Sequence, residues 1–150
     1  MRNKKNLKVH FIGIGGIGMS SLALFLLKNN YQVSGSDIGN DPSIYKLKKN
    51  GFVFFNKHSN ENITDQNLII YSSAIKSNNP EILQAKNKNI EILKRGEALG
   101  FFTKKMKNIT VSGCHGKSTT TSMTHLLVKN TGHDSTAFIG ALDRKLNSNF

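Results

Sequence analysis

At 150 residues, the chain has room for one ordinary domain, or for one domain and a piece of a second. Its composition is globular, with 37% hydrophobic and 20% charged residues, and no apolar run reaches the roughly 18 residues that a membrane-spanning helix needs. The formal charge is +12, but the lysines are spread along the chain among asparagines, which is typical of a solvated surface and argues against a specific nucleic-acid interface. The single cysteine, Cys114, excludes an internal disulfide, so we expect a cytoplasmic protein without a membrane segment.

The first hundred residues alternate between strand and helix patterns. Runs of apolar and β-branched residues predict strands at 7–12, 52–55, 67–71 and 90–93, and the segment QVSGS is a predicted short strand at 32–36. Helical patterns separate them at 19–30, 43–50, 80–88 and 95–102. Such alternation predicts an α/β fold, and here a complete Rossmann-like domain with a parallel sheet.

A glycine-rich turn follows the first predicted strand. Gly13, Gly15 and Gly18 fit the pattern G-x-G-x-x-G, in which glycines allow a sharp turn and close approach to a diphosphate. Asp37 ends the second strand, where an acid can hydrogen-bond a ribose hydroxyl; alternatively, it is an exposed residue of a turn. Taken alone, this pattern indicates either a dinucleotide-dependent dehydrogenase or a protein that binds another nucleotide-linked ligand.

Polar residues also follow two other predicted strands. Ser72 and Ser73 come after the fourth strand, and the carboxyl ends of parallel strands are where such sheets bind ligands. An ordinary turn in which a serine side chain bonds the backbone is an equal alternative. His58 lies in a loop after the third strand. It is either a ligand contact or an ordinary surface histidine.

A second glycine turn follows a predicted strand at 109–111. Gly113 and Gly116 precede Lys117 and a helical pattern that ends near Asn130. The order of strand, glycine turn, lysine, hydroxyl and helix is that of a phosphate cradle, in which helix N–H groups and the lysine hold a nucleotide triphosphate. The loop is shorter than the usual P-loop, so a glycine-rich turn before a threonine-rich surface helix is the alternative.

The lysine-rich segment 103–108 separates the two patterns and predicts a domain boundary. We expect a Rossmann-like domain at 1–104 and the start of a P-loop ATPase domain at 105–150. The second region offers one strand, one helix and a further predicted strand at 135–139. These elements are too few to bury a core, so we expect the second domain to be incomplete.

The motifs HFIGIGGIGMSSLA, SGSD, YSSAIKSNNPEI, KRGEALG and SGCHGKSTTTSM occur in this order. Together they resemble the Mur ligases of bacterial cell-wall synthesis, over residues 9–123 and more weakly beyond. The resemblance implies that the first domain binds UDP-N-acetylmuramate and the second binds ATP with Mg²⁺. It also implies that ATP activates the muramyl carboxylate as an acyl phosphate, which the amino group of L-alanine displaces to form an amide.

The resemblance assigns residues to both ligands. Those implied to contact the UDP-sugar are Gly13, Ile14, Gly15, Gly16, Ile17, Gly18, Met19, Asp37, Ser72 and Ser73. Those implied to contact ATP are Gly113, Cys114, His115, Gly116, Lys117, Ser118 and Thr119. Lys117 is the implied catalytic residue, holding the outer phosphates, and the hydroxyls of Ser118 or Thr119 are implied Mg²⁺ ligands.

The chain departs from the family in sequence and in length. Cys114 and Ser118 stand where the family commonly has threonines, and most of the central and all of the third domain are missing, so we expect no ligase activity from this polypeptide alone. Three alternatives remain at this point. They are a recycling ligase that joins a whole peptide to UDP-N-acetylmuramate, a nucleotide-binding module without catalysis, and a dehydrogenase, against which the lysine loop argues. The oligomeric state is not predicted.

Overall fold

A computed structural model describes residues 7–39 and 41–139, and it shows one sheet of five parallel strands. The strands are β1 (Lys8–Ile12), β2 (Gln32–Ser36), β3 (Val53–Phe55), β4 (Leu68–Tyr71) and β5 (Glu91–Lys94). Their order in the sheet is β3-β2-β1-β4-β5, so the chain winds to one side of β1 and then to the other. The prediction of a Rossmann-like α/β fold is confirmed.

Helices connect the strands in the predicted sequence. They are α1 (Ile17–Lys28), α2 (Pro42–Lys49), α3 (Pro80–Asn87), α4 (Arg95–Thr103) and α5 (Lys117–Asn130), with a short 3₁₀ turn at Asn60–Asn62. Side chains define two of the starts, because Asp41 accepts the N–H of Ser43 before α2 and Asn79 accepts that of Glu81 before α3. Helix α1 begins earlier than predicted, directly after the extended residue Gly16. Within the described ranges, no helix is long and apolar enough to cross a bilayer.

Alternate residues of the central strands face opposite sides of the sheet, and each side has its own core. Val9 and Phe11 lie in the larger cluster, which includes buried residues of α1, α2 and α4. Ile12 and Ile69 lie in the smaller one with Ile82 of α3. Each fully buried side chain of this size contributes about 1.5–3 kcal/mol of hydrophobic stabilisation, so these clusters hold the sheet and its loops in place.

Helix α1 is more deeply enclosed than a helix with one apolar face would be. Every residue from Met19 to Leu26 is buried. The two polar members, Ser20 and Ser21, each donate their hydroxyl to the carbonyl of Ile17, which satisfies them inside the helix. The turn before α1 is therefore anchored to the most buried helix of the structure.

Two predicted strands are wrong, because residues 109–111 and 135–139 do not form strands. A short strand is stable only when it pairs with a neighbour, and within the described ranges no strand pairs with either segment. The side chain of Ile109 is 71% exposed. The second segment buries apolar side chains another way, since Phe138 packs edge-on against Phe25 of α1 with ring centroids 5.4 Å apart. Residues 1–6, 40 and 140–150 of the predicted domains lie outside the described ranges.

Candidate nucleotide-binding sites

The first glycine loop connects β1 to α1 and is held by the end of β2. The N–H groups of Gly13 and Ile14 donate to the carbonyl of Ser36, at 2.9 and 3.1 Å. Gly13 has φ +79°, a left-handed conformation that a side chain would strain. These bonds place the loop at the carboxyl edge of the sheet, beside the point where the winding direction changes, which is where doubly wound sheets bind ligands.

Asp37 is part of this loop structure. Its Oδ2 accepts the N–H of Gly15 at 2.7 Å, and its Oδ1 accepts the N–H of Gly39 at 3.0 Å. A Cβ atom on Gly15 would lie 3.0 Å from Oδ2, closer than side chains normally pack. The structure thus brings Asp37 and the glycine loop together, and it leaves little room for a side chain at position 15.

The loop ends at the N-terminus of α1, which is suited to an anion. Gly16 is the N-cap, and neither a side-chain cap nor an acidic residue occupies the first turn. The first N–H groups of a helix lack intrahelical partners and carry the positive end of its dipole. Of the other predicted contacts, Ile14 and Met19 bury their side chains in the core, so their contribution to a ligand would come from the backbone.

Ser72 lies next to the loop, whereas Ser73 is exposed beyond it. A Cβ atom on Gly13 would lie 3.1 Å from Cβ of Ser72, and the Ser72 N–H donates to Ile12 at 3.0 Å. The hydroxyl of Ser72 accepts the N–H of Ala74 at 3.4 Å, so the serine turn considered as an alternative is present. The turn also places both serines at the edge that carries the glycine loop.

Arg95 was not predicted as a site residue, although it directly follows β5 at the same edge of the sheet. A Cβ atom on Gly18 would lie 2.9 Å from Nη1 of Arg95. Within the described ranges, no carboxylate forms a salt bridge with this guanidinium. A cation therefore stands beside the N-terminus of α1, where helix dipole and side chain both favour a negative ligand. The signal in the sequence was the basic pair Lys94 and Arg95, which follows the predicted strand at 90–93.

A buried polar cluster surrounds Glu81 of α3 on the side of the sheet opposite α1. Its Oε1 accepts from His10 Nε2 at 3.2 Å and from Asn62 Nδ2 at 2.7 Å. Its Oε2 accepts from the hydroxyl of Ser36 at 2.6 Å and from His58 Nδ1 at 2.8 Å. The side chains of Glu81 and His10 are fully buried, and His58 reaches the surface with 12% of its side chain exposed.

Two opposing effects act on the carboxyl group of Glu81. Burial raises its pKa, because a charge loses its water. Hydrogen bonds from His10, Ser36 and Asn62 favour the ionised form and outweigh burial, so the pKa of Glu81 lies below its ordinary value. The cluster thus holds a buried carboxylate that is satisfied by donors on every side.

The second glycine loop leads into α5 and is exposed throughout. Gly113 and Gly116 have φ +149° and +77°, and Gly116 caps α5 without any side-chain hydrogen bond. The ammonium of Lys117 donates to the carbonyls of Gly113 and Cys114, at 2.6 and 3.0 Å. The ammonium of Lys117 therefore lies against the loop, where it could also contact a bound phosphate.

The hydroxyls that follow this loop differ in their partners. Thr121 and Thr124 donate to the carbonyls of Lys117 and Thr120, each at 2.8 Å. Ser118 and Thr119 are exposed, and their hydroxyls form no hydrogen bond within the described part of the chain. These two oxygens fit a role as Mg²⁺ ligands. The residues from 7 to 39 and from 41 to 139 contain no group of three or more His, Cys, Asp or Glu side chains able to hold a metal.

Comparison with known proteins agrees with this arrangement of a Rossmann-like sheet and two glycine loops. The sequence profile of the Mur ligase family, catalytic domain, matches residues 8–107. The chain therefore belongs to the Mur ligase family.

Similar proteins within the family carry a more particular name. UDP-N-acetylmuramate–L-alanine ligase from Clostridium botulinum (strain Langeland) is 49% identical over 137 residues, which are 91% of this chain and 30% of that protein. The ligase of the same name from Aquifex aeolicus is 46% identical, over 95% of this chain and 31% of that protein. This chain thus spans about a third of the length of these relatives.

Two solved structures of ligases also match this chain. A UDP-N-acetylmuramate–alanine ligase from Thermotoga maritima matches with a TM-score of 0.86 and 35% identity, over 95% of this chain and 34% of that one. A murein peptide ligase from Psychrobacter arcticus matches with a TM-score of 0.77 and 25% identity, over 84% of this chain and 27% of that one.

Proposed function

We propose that this chain supplies the nucleotide-sugar-binding domain, and the start of the ATP-binding domain, of a ligase that adds L-alanine to UDP-N-acetylmuramate in bacterial cell-wall synthesis. The observation that carries the proposal is the presence of two separate glycine loops, each leading into a helix N-terminus, in a chain similar to ligases of that name. The proposed division lies at residue 104, and the proposed location is the cytoplasm.

The first loop is the proposed seat of the UDP diphosphate. The backbone from Gly13 to Met19 would face the phosphates, and the guanidinium of Arg95 would neutralise part of their charge. Because Gly15 already donates to Asp37, the carboxylate would either share the loop with the ribose or turn toward it on binding. Ser72 and Ser73 follow β4, which pairs with β1 on the side opposite β2, and this is the side proposed for the diphosphate and sugar.

The second loop is the proposed seat of ATP. The residues from Gly113 to Gly116 and the first turn of α5 would surround the phosphates, while Lys117 would exchange its carbonyl partners for phosphate oxygens. Ser118 or Thr119 would hold Mg²⁺. Bound ATP supplies the phosphoryl group that activates the muramyl carboxylate, and these side chains position it and balance its charge.

Binding of UDP to the 150-residue chain tests the first site. We expect calorimetry to show binding of UDP-N-acetylmuramate and UDP, with little response to NAD. Gly15→Val should abolish UDP binding, because the new side chain collides with Asp37 and blocks the approach of a diphosphate. Gly100→Val is the matched control, since a Cβ at that exposed position meets no atom within 4 Å. Preference for NAD, or full UDP affinity in folded Gly15→Val, would contradict the assignment.

The similarity to a murein peptide ligase supports a second candidate function, that of a ligase that joins a whole peptide to the same nucleotide sugar. The higher identity and TM-score of the alanine ligase from Thermotoga maritima favour the first candidate. Both candidates share the UDP site, so the binding test above does not separate them. Ligase activity with free L-alanine, as against activity with a peptide, is the measurement that would separate them.

A further inference from the structure

Glu81 belongs to neither glycine loop, yet Ser36 connects it to the first one. The hydroxyl of Ser36 donates to Glu81, while the carbonyl of the same residue accepts the N–H groups of Gly13 and Ile14. The next residue, Asp37, holds the N–H of Gly15. One buried carboxylate therefore fixes the end of the strand from which the loop is suspended.

The same carboxylate fixes the ring of His58. Its Nδ1 lies 2.8 Å from Oε2 of Glu81 and 2.9 Å from the hydroxyl of Ser36. A carboxylate only accepts hydrogen bonds, so Nδ1 carries the proton in the neutral ring and Nε2 is left as an acceptor. His58 follows β3, whose last residue, Phe55, accepts the N–H of Asp37 through its carbonyl. Glu81 thus sets the hydrogen-bonding character of a cluster member that reaches the surface near the end of β2.

We propose that Glu81 is a positioning residue of the nucleotide-sugar site: it holds the Ser36 end of β2, and hence the glycine loop, and it fixes the tautomer of His58. The inference rests on the proposed function for the identity of the ligand. It adds a residue that acts on the shape of the binding site through Ser36 and His58 and not through direct contact with the nucleotide sugar.

Glu81→Gln reverses hydrogen bonds on one side of the cluster without changing its size. Nδ2 of Asn62 also donates to the carbonyl of Lys57 at 2.8 Å, so the amide of Asn62 cannot rotate without losing that bond. The glutamine oxygen therefore stays toward Asn62 and His10, and its NH₂ faces Ser36 and His58. Both groups must then become acceptors, and the proton of His58 moves from Nδ1 to Nε2.

Two measurements on the 150-residue chain test the proposal. Nitrogen NMR of the histidine rings should show the Nδ1–H form of His58 in the wild type and the Nε2–H form in folded Glu81→Gln. Calorimetry with UDP should show at least about a tenfold loss of affinity, the equivalent of one charged hydrogen bond. Glu61→Gln is the matched control, an exposed glutamate in the nearby 3₁₀ turn, and it should change neither reading.

Ser36→Ala provides a second variant if Glu81→Gln does not fold. It removes the hydroxyl that bonds Glu81 but keeps the carbonyl that holds the loop, and we expect a smaller, several-fold loss of UDP affinity. Full affinity for UDP in either folded variant would overturn the positioning role and leave the site assignment intact. Absence of UDP binding by the wild type would instead overturn the proposed function and, with it, this inference.

Discussion

The two glycine loops have the same local design but different support. The first is suspended from a sheet whose central strand, β1, is buried from Val9 to Ile12, and it is fixed by the carbonyl of Ser36 and the carboxylate of Asp37. The second precedes α5, a helix with no buried residue, and its internal support is the ammonium of Lys117. A phosphate loop can thus form its turn locally, whereas its rigidity depends on the elements packed around it.

The two loops also differ in which of their backbone groups already form hydrogen bonds with side chains. In the first loop a carboxylate takes an N–H group, and in the second an ammonium takes carbonyl groups. The proposed binding of UDP at the first loop would have to accommodate the carboxylate that is already there. The proposed binding of ATP at the second loop would draw the Lys117 ammonium away from the carbonyls and toward the phosphates.

Replacing one leucine by alanine in α1 and one in α5 gives the largest expected difference in stability between the two regions. Leu26→Ala in α1 removes a fully buried side chain and should lower the free energy of unfolding by about 2–5 kcal/mol. Leu127→Ala in α5 removes a side chain that is 68% exposed and should change it by less than about 0.5 kcal/mol. Urea unfolding of both variants measures the contrast. Equal losses would mean that α5 is packed as firmly as α1.

The sequence was sufficient for elements whose signal is local. Strands β1, β3, β4 and β5 contain short apolar runs, and each glycine loop lies between such a run and a helical pattern, so their position and type follow from the sequence. The segments 109–111 and 135–139 carry the same local signal but form no strand. A strand requires a partner at its edge, and a local pattern does not reveal whether one is present.

The cluster around Glu81 could not be read from the sequence in this way. His10 and Glu81 are 71 positions apart, and only the packing of α3 on β1 brings them together. One signal was available: His10 and Ser36 are polar residues at inward positions of buried strands, and a buried polar group requires a partner. The pattern predicts that a partner exists but does not identify it.

The pH dependence of stability sharpens the comparison, because the buried carboxylate lies in the first region. The pKa of Glu81 is lower in the folded chain than its ordinary value of 4.5, so its contribution to stability is complete above pH 4.5 and is lost as the pH falls through the lowered folded value. His10 and His58 donate hydrogen bonds to this carboxylate, and both lose a charged acceptor when it is protonated. Thermal unfolding should show that Glu81→Gln is less stable than the wild type at pH 7 and that the gap narrows below pH 4.5. A gap independent of pH would contradict this account.

Lys117→Ala should have the smallest effect on the fold and acts on the second loop alone. The variant loses the ammonium that covers the carbonyls of Gly113 and Cys114, so amide hydrogen exchange should rise across residues 113–119. Exchange at residues 13–19 and the affinity for UDP should stay unchanged, because nothing in the first loop depends on this exposed side chain. Asp37→Ala is the reciprocal variant, and it should raise exchange at Gly15 without affecting the second loop. A response of both loops to either substitution would show that the loops are coupled, and their separate support would then be wrong.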